Sequence, residues 1–122
     1  VYASAPVEPA QGSDYLKILP LFRADISTKE EGLNCASIGA DIISTTLSGY
    51  TLESGEAGSE PDYKLLEELV KSATKPVFLE GRIWEPNQVK KAFTLGAHSV
   101  VIGSAITRPQ LITKRFIEEG QL

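Results

Sequence analysis

Four apolar runs in this chain end in residues that could bind an oxyanion or move a proton. In "PVFLEGR", Glu80 follows four apolar residues and precedes Gly81 and Arg82, while "VVIGSAITR" passes through Gly103 and Ser104 to Thr107 and Arg108. "FRADIS" closes on Asp25 and Ser27, and "DIISTTLSGYT" continues into Thr45, Thr46, Ser48 and Tyr50. A carboxylate at the end of an apolar run is partly desolvated, which suits Glu80 to accept and return a proton near neutrality. Arg82 and Arg108 each offer paired N–H donors to an oxyanion. Glycine at 81 and 103 lets a ligand approach the backbone, and a helix starting just beyond would aim N–H groups and a partial positive charge at a phosphate. Simpler roles stay open at this point: an internal salt bridge from Glu80 to Arg82, a helix cap at Asp25, and ordinary surface charge at Arg82 and Arg108.

Other reactive residue types read as structural. His98 falls at the start of an apolar stretch rather than its end, Trp84 sits where a helix begins to pack, and Cys35 is a small apolar residue beside Asn34 and Ala36. With one His and one Cys the chain has no metal-ligand spacing. It carries neither a P-loop nor a dinucleotide-binding fingerprint. Lys and Arg total 12 against 16 Asp and Glu, a net charge of -4 that argues against a nucleic-acid footprint. No apolar run approaches the roughly 20 residues needed to span a bilayer, and a soluble, cytoplasmic protein is expected.

The elements that must position these residues alternate. Residues 1–14 hold small residues and prolines without periodicity and read as a linker or truncated edge; residues 15–122 form the folded part. A short strand is expected at about 21–25, with Pro20 making its start irregular. "STKEEGLNCASIGA" is a helix, with capping-box spacing at Ser27 and Glu30 or at Thr28 and Glu31, Leu33, Ala36 and Ser37 on one face, and Gly39 as its stop. A strand at 41–46 then leads into a long polar loop. Leu65, Leu66, Leu69 and Val70 form one helical stripe, "PVFLEG" is a continuously apolar strand, and "EPNQVKKAFTLG" is a helix with Val89, Ala92 and Phe93 inward. "AHSVVIGSA" is the fourth strand, and the last helix turns Leu111, Ile112, Arg115 and Phe116 inward. The order β-α-β-α-β-α-β-α implies parallel strands and right-handed crossovers. Four such units, with "IGADIIS" echoed by "LGAHSVV", make half of a TIM (β/α)8 barrel, and the barrel's chemistry sits at strand carboxyl ends.

At those strand ends the residues become specific. "ADIST" with "EEG", "GADIISTTLSGYT", "EGRI" and "GAHSVVIGSAITRP" resemble, in order and spacing, the C-terminal half of the N-acetylmannosamine-6-phosphate 2-epimerase family over about residues 18–117. The resemblance implies a cofactor-free (β/α)8 barrel that interconverts N-acetylmannosamine 6-phosphate and N-acetylglucosamine 6-phosphate by removing and restoring the C2 proton, in sialic acid catabolism. It casts Glu80 as one member of the acid/base pair. Asp25, Thr46, Ser48, Tyr50 and Arg108 would hold the sugar, with the "TTLSGYT" loop closing over it, and Gly81, Arg82, Gly103 and Ser104 would hold the phosphate. The family's other acid/base residue is a lysine on an earlier strand, which this chain lacks. The implied partners are the amino-sugar phosphate and either a second copy or a complementary N-terminal half-barrel, with no nucleic acid and no membrane. The alternative is a sugar-phosphate-binding or structural half-barrel without turnover.

Overall fold

The computed structural model describes residues 2–4 and 21–121. Along these residues run β1 (Tyr2–Ser4), β2 (Arg23–Asp25), α1 (Lys29–Ser37), β3 (Ile42–Ser44), α2 (Tyr63–Ser72), β4 (Val77–Glu80), α3 (Pro86–Thr94), β5 (Ser99–Val101), α4 (Ser104–Thr107) and α5 (Pro109–Glu119). One sheet joins the strands in the order β1-β5-β4-β3-β2. β2, β3, β4 and β5 are mutually parallel, as the βα alternation requires, while β1 pairs antiparallel with β5. Residues 1–14 show no strand periodicity in sequence, yet Tyr2–Ser4 pair with Ser99–Val101, a match too short to leave a pattern. The rest of that stretch, and the irregular strand start at Pro20, lie outside the described residues.

Alternation along these short strands gives the sheet two unlike faces. Ala24, Ile43, Val77, Leu79 and Val100 are buried toward the helices, where they meet Leu65, Leu66 and Leu69 of α2 and Ala92 of α3. The opposite face carries Arg23, Asp25, Ser44 and Glu80. Helix α1 departs from its expected inner face. Ser37 is exposed and Gly32 is the buried residue, because a Cβ there would lie 2.6 Å from Leu69 Cδ2 and 3.3 Å from Ile43 Cγ2. Glycine lets α1 approach α2 and β3 this closely without Leu69 or Ile43 giving way.

The two Gly-Ala joints are the same device used twice. Gly39 at φ 112° and Gly96 at φ 97° take the left-handed conformation after α1 and α3. Ala40 N–H then bonds Cys35 O at 2.9 Å and Ala97 N–H bonds Ala92 O at 3.0 Å, closing each helix in a Schellman turn. Both alanines are buried, so each strand begins directly against the core.

Helix α5 corrects the sequence reading. Leu111, Ile112 and Arg115 are half-buried, but Phe116 is 76% exposed and no residue of the helix is fully buried. Arg115 ties the helix to Glu85 at the start of α3 and also pairs with Glu119 on its own helix.

At the start of α1, the second of the two possible capping boxes is the one that forms. Glu31 N–H donates to Thr28 Oγ1 at 3.3 Å, and Glu31 Oε2 accepts from Thr28 N–H at 3.2 Å and from Ser27 N–H and Oγ at 2.7 and 2.8 Å. These bonds to the carboxylate, those from the Ser27 backbone and hydroxyl foremost, hold the Glu31 pKa below its ordinary value. A lowered folded-state pKa gives stability that is present above the unfolded value and lost as pH falls through the folded one. Urea denaturation of the wild type and Glu31→Gln should therefore differ most at pH 7 and converge as pH falls below about 4. Thr28→Ala should cost about 1 kcal/mol at neutral pH.

Candidate active site

Glu80 ends β4, and its backbone is gripped from β3. The hydroxyl of Thr45, a residue only 1% exposed, donates to Glu80 O at 3.0 Å and accepts from Glu80 N–H at 3.1 Å. The carboxylate is fixed separately. Arg23 Nη1 donates to Glu80 Oε2 at 3.2 Å, with Ser44 Oγ at 3.3 Å and Thr46 Oγ1 at 3.0 Å from the same oxygen. All three contacts fall on Oε2, so Oε1 has no hydrogen-bond partner among the described residues.

Asp25 joins this network from β2. Arg23 Nη2 lies 3.0 Å from its Oδ1, and Thr46 Oγ1 lies 2.8 Å from the same atom. The Thr46 hydroxyl, also 2.9 Å from Ser44 Oγ, stands between the two carboxylates and has a single proton to give. Arg23 spans the pair with its fork of donors.

After Glu80 the chain turns sharply through two residues with positive φ, Gly81 at 110° and Arg82 at 59°. Arg82 does not form the salt bridge with Glu80 that the sequence left open; Arg23 takes that place. The Arg82 guanidinium donates from Nε to Glu60 O and from Nη1 to Ser48 O, each at 2.7 Å, and lies 5.9 Å from the Tyr50 ring centre. Across the cleft, the chain passes from β5 to Gly103, whose carbonyl accepts from Ile106 N–H at 2.9 Å and Thr107 N–H at 3.0 Å to open α4.

Together these residues line a cleft of about 290 Å³ bounded by Thr46, Tyr50, Glu80, Gly81, Arg82, Ile83, Trp84, Val101, Gly103 and Ser104. Seven of the ten residues expected from sequence thus share one cavity: Thr46, Tyr50, Glu80, Gly81, Arg82, Gly103 and Ser104. Asp25 reaches it through Thr46. Ser48 does not line it: the residue is buried, and its hydroxyl donates to Asp62 Oδ2 at 2.5 Å, tying the loop to the start of α2. Arg108 also stands apart, exposed at the junction of α4 and α5. His98 stacks on Phe78 with ring centres 6.0 Å apart, at the opposite end of the strands, in keeping with a structural role. Trp84, just before α3, is 37% exposed and forms part of the cleft wall.

Sequence reasoning missed Arg23, Ser44 and the grip of Thr45. Two of these carried a signal. Arg23 is two residues before Asp25 and Ser44 two before Thr46, so strand alternation puts each pair on one face. No group of His, Cys, Asp and Glu among the described residues could hold a metal ion. None of the described helices is long and apolar enough to cross a membrane.

A family model described as "Putative N-acetylmannosamine-6-phosphate epimerase" matches residues 14–121. A curated relative from Clostridium perfringens, named as the 2-epimerase, is 57% identical over 98 residues, covering 80% of this chain and 44% of the relative. A second, from Caldanaerobacter subterraneus, is 52% identical over 103 residues, covering 84% and 42%. The solved structure of the Clostridium perfringens N-acetylmannosamine-6-phosphate 2-epimerase superposes with a TM-score of 0.74 at 55% identity, over 80% of this chain and 42% of that one. The chain therefore spans less than half the length of the relatives it matches.

The Arg23–Glu80 contact is open to measurement. Its side chains are 28% and 24% exposed, between the surface and buried extremes. A double-mutant cycle with Arg23→Met and Glu80→Gln, read by urea denaturation, should give a favourable coupling of about 1 kcal/mol.

Proposed function

The chain belongs to the N-acetylmannosamine-6-phosphate epimerase family, and on that premise we propose that the Glu80 cleft is one side of a site interconverting N-acetylmannosamine 6-phosphate and N-acetylglucosamine 6-phosphate. The C2 hydrogen of the open-chain sugar lies beside the C1 carbonyl. A positioned base removes it as a proton, leaving an enolate, and its return to the opposite face inverts C2. The reaction consumes no oxidant and needs no cofactor. Its setting would be amino-sugar catabolism in the cytoplasm.

The observation that carries this reading is the asymmetry of the Glu80 carboxylate. Arg23, Ser44 and Thr46 all hold Oε2, so Oε1 is the oxygen left to exchange a proton with a ligand. Phosphate would sit against Gly81, Gly103 and Ser104. The remaining Arg82 donor, Nη2, has no acceptor among the described residues and completes that set. Thr46 and Tyr50 would meet the sugar, with Ser48 supporting their loop. Asp25 would hold the sugar from behind Thr46, and Arg108 from the α4–α5 junction.

A second reading, binding without turnover, is favoured by one observation: no lysine lines the cleft among the described residues. Turnover, by contrast, would require the family's second acid/base residue from a second copy or a complementary half-barrel.

Proton NMR of N-acetylmannosamine 6-phosphate in D2O separates the two. For the epimerase reading the C2 proton signal should disappear as the N-acetylglucosamine epimer grows in, and Glu80→Gln should slow this by a factor of about 100 or more. Saturable binding with an unchanged C2 signal would select the second reading. Absence of both binding and exchange would overturn the two together.

A further inference from the structure

We propose that Arg82 is a positioning residue that latches the 45–62 loop beside the Glu80 cleft. The loop joins β3 to α2 and is long enough to need internal ties. One guanidinium supplies two of them. Nε bonds Glu60 O and Nη1 bonds Ser48 O, each at 2.7 Å, so a rigid planar fork fixes the spacing of two loop limbs that are twelve residues apart in sequence. Between those limbs the packing is tight. A Cβ on Gly49 would lie 2.5 Å from Ala57 Cα, and Gly49 N–H is held by Ser54 Oγ at 2.9 Å. Beside the latch stands Tyr50, 66% exposed and 5.9 Å from the guanidinium carbon, so the arginine that closes the loop also sets the ring that borders the cleft.

The backbone carries the mark of this arrangement. Arg82 is the one described non-glycine residue with positive φ, 59°, a conformation in which Asn or Gly would be at ease. Such a conformation persists where surrounding contacts over-determine it, and here those contacts are the two loop carbonyls. A residue serving only the turn would not need a guanidinium.

The test uses Arg82→Asn and Arg82→Gly, which suit the turn but cannot span to both carbonyls, together with Arg82→Lys, which restores a single donor group. Glutamyl endoprotease cleavage after Glu53 or Glu56 reports loop opening, and the NMR signals of the Tyr50 ring report its place. The Asn and Gly variants should keep wild-type circular dichroism, be cut in the loop about tenfold faster or more, and move the Tyr50 signals toward those of free tyrosine. The Lys variant should recover part of both effects. Wild-type cleavage and Tyr50 signals in the Asn and Gly variants would overturn the latch. So would faster cleavage spread evenly over the helices, or unfolding of both variants, since either makes Arg82 a support of the whole fold. None of these readouts requires turnover, so the inference stands or falls apart from the epimerase reading.

Discussion

The grip of Thr45 on Glu80 is the contact from which the site's geometry follows. β3 and β4 are parallel, and their ladder pairs Ile43 with Val77 and Ser44 with Phe78 before it stops. Beyond that point both strands must part to make loops, and two backbone groups of Glu80 would lose their partners. Thr45 supplies both with one hydroxyl, donating to the carbonyl and accepting from the N–H. A buried polar group left without a partner costs about 1–3 kcal/mol, so this substitution of side chain for ladder lets the strands diverge where a cleft has to open. The Glu80 side chain then emerges on the face that carries Arg23, Asp25 and Ser44.

That face gathers the polar side chains of the strands at its carboxyl end. The helices bury Ala24, Ile43, Leu79 and Val100, and alternation hands every neighbouring position to the opposite side. In this chain those neighbours include Arg23, Asp25, Ser44 and Glu80 beside the apolar Ile42, Phe78 and Val101, and among the described residues no buried side-chain nitrogen or oxygen lacks a hydrogen-bond partner. Arg23 is central to this balance, since it bridges two carboxylates that would otherwise face each other across Thr46. The network therefore orients Glu80 and also makes a charged sheet face tolerable.

Much of this was legible in sequence, for physical reasons that differ by element. The α2 stripe and the Gly-Ala joints declare themselves because burial and left-handed caps demand particular residue types at fixed spacing. The grouping of Glu80, Gly81, Arg82, Gly103 and Ser104 followed from one rule, that parallel strands present their carboxyl ends to one side. What stayed hidden depends on distances between segments. Nothing local says that Arg23 rather than Arg82 pairs with Glu80, because a backbone turn at Gly81 and Arg82 sends the nearer arginine toward Ser48 and Glu60. Ser48 looked like a ligand residue by its place in "TTLSGYT", and its use on Asp62 depends on where α2 starts. Phe116 fitted a helical stripe, but a stripe reports an apolar face and does not say what lies against it.

The central claim is that the oxygen left free on Glu80 and the turn at Gly103 and Ser104 face one ligand in one cleft. Amide-resolved NMR of the 15N-labelled chain, titrated with N-acetylglucosamine 6-phosphate and separately with N-acetylglucosamine, tests this most directly. The account predicts saturable shifts at the Gly81, Gly103 and Ser104 amides with the phosphorylated sugar, and far weaker ones with the sugar alone. Shifts confined to the Ile112 and Phe116 region, or equal responses to both sugars, would contradict it.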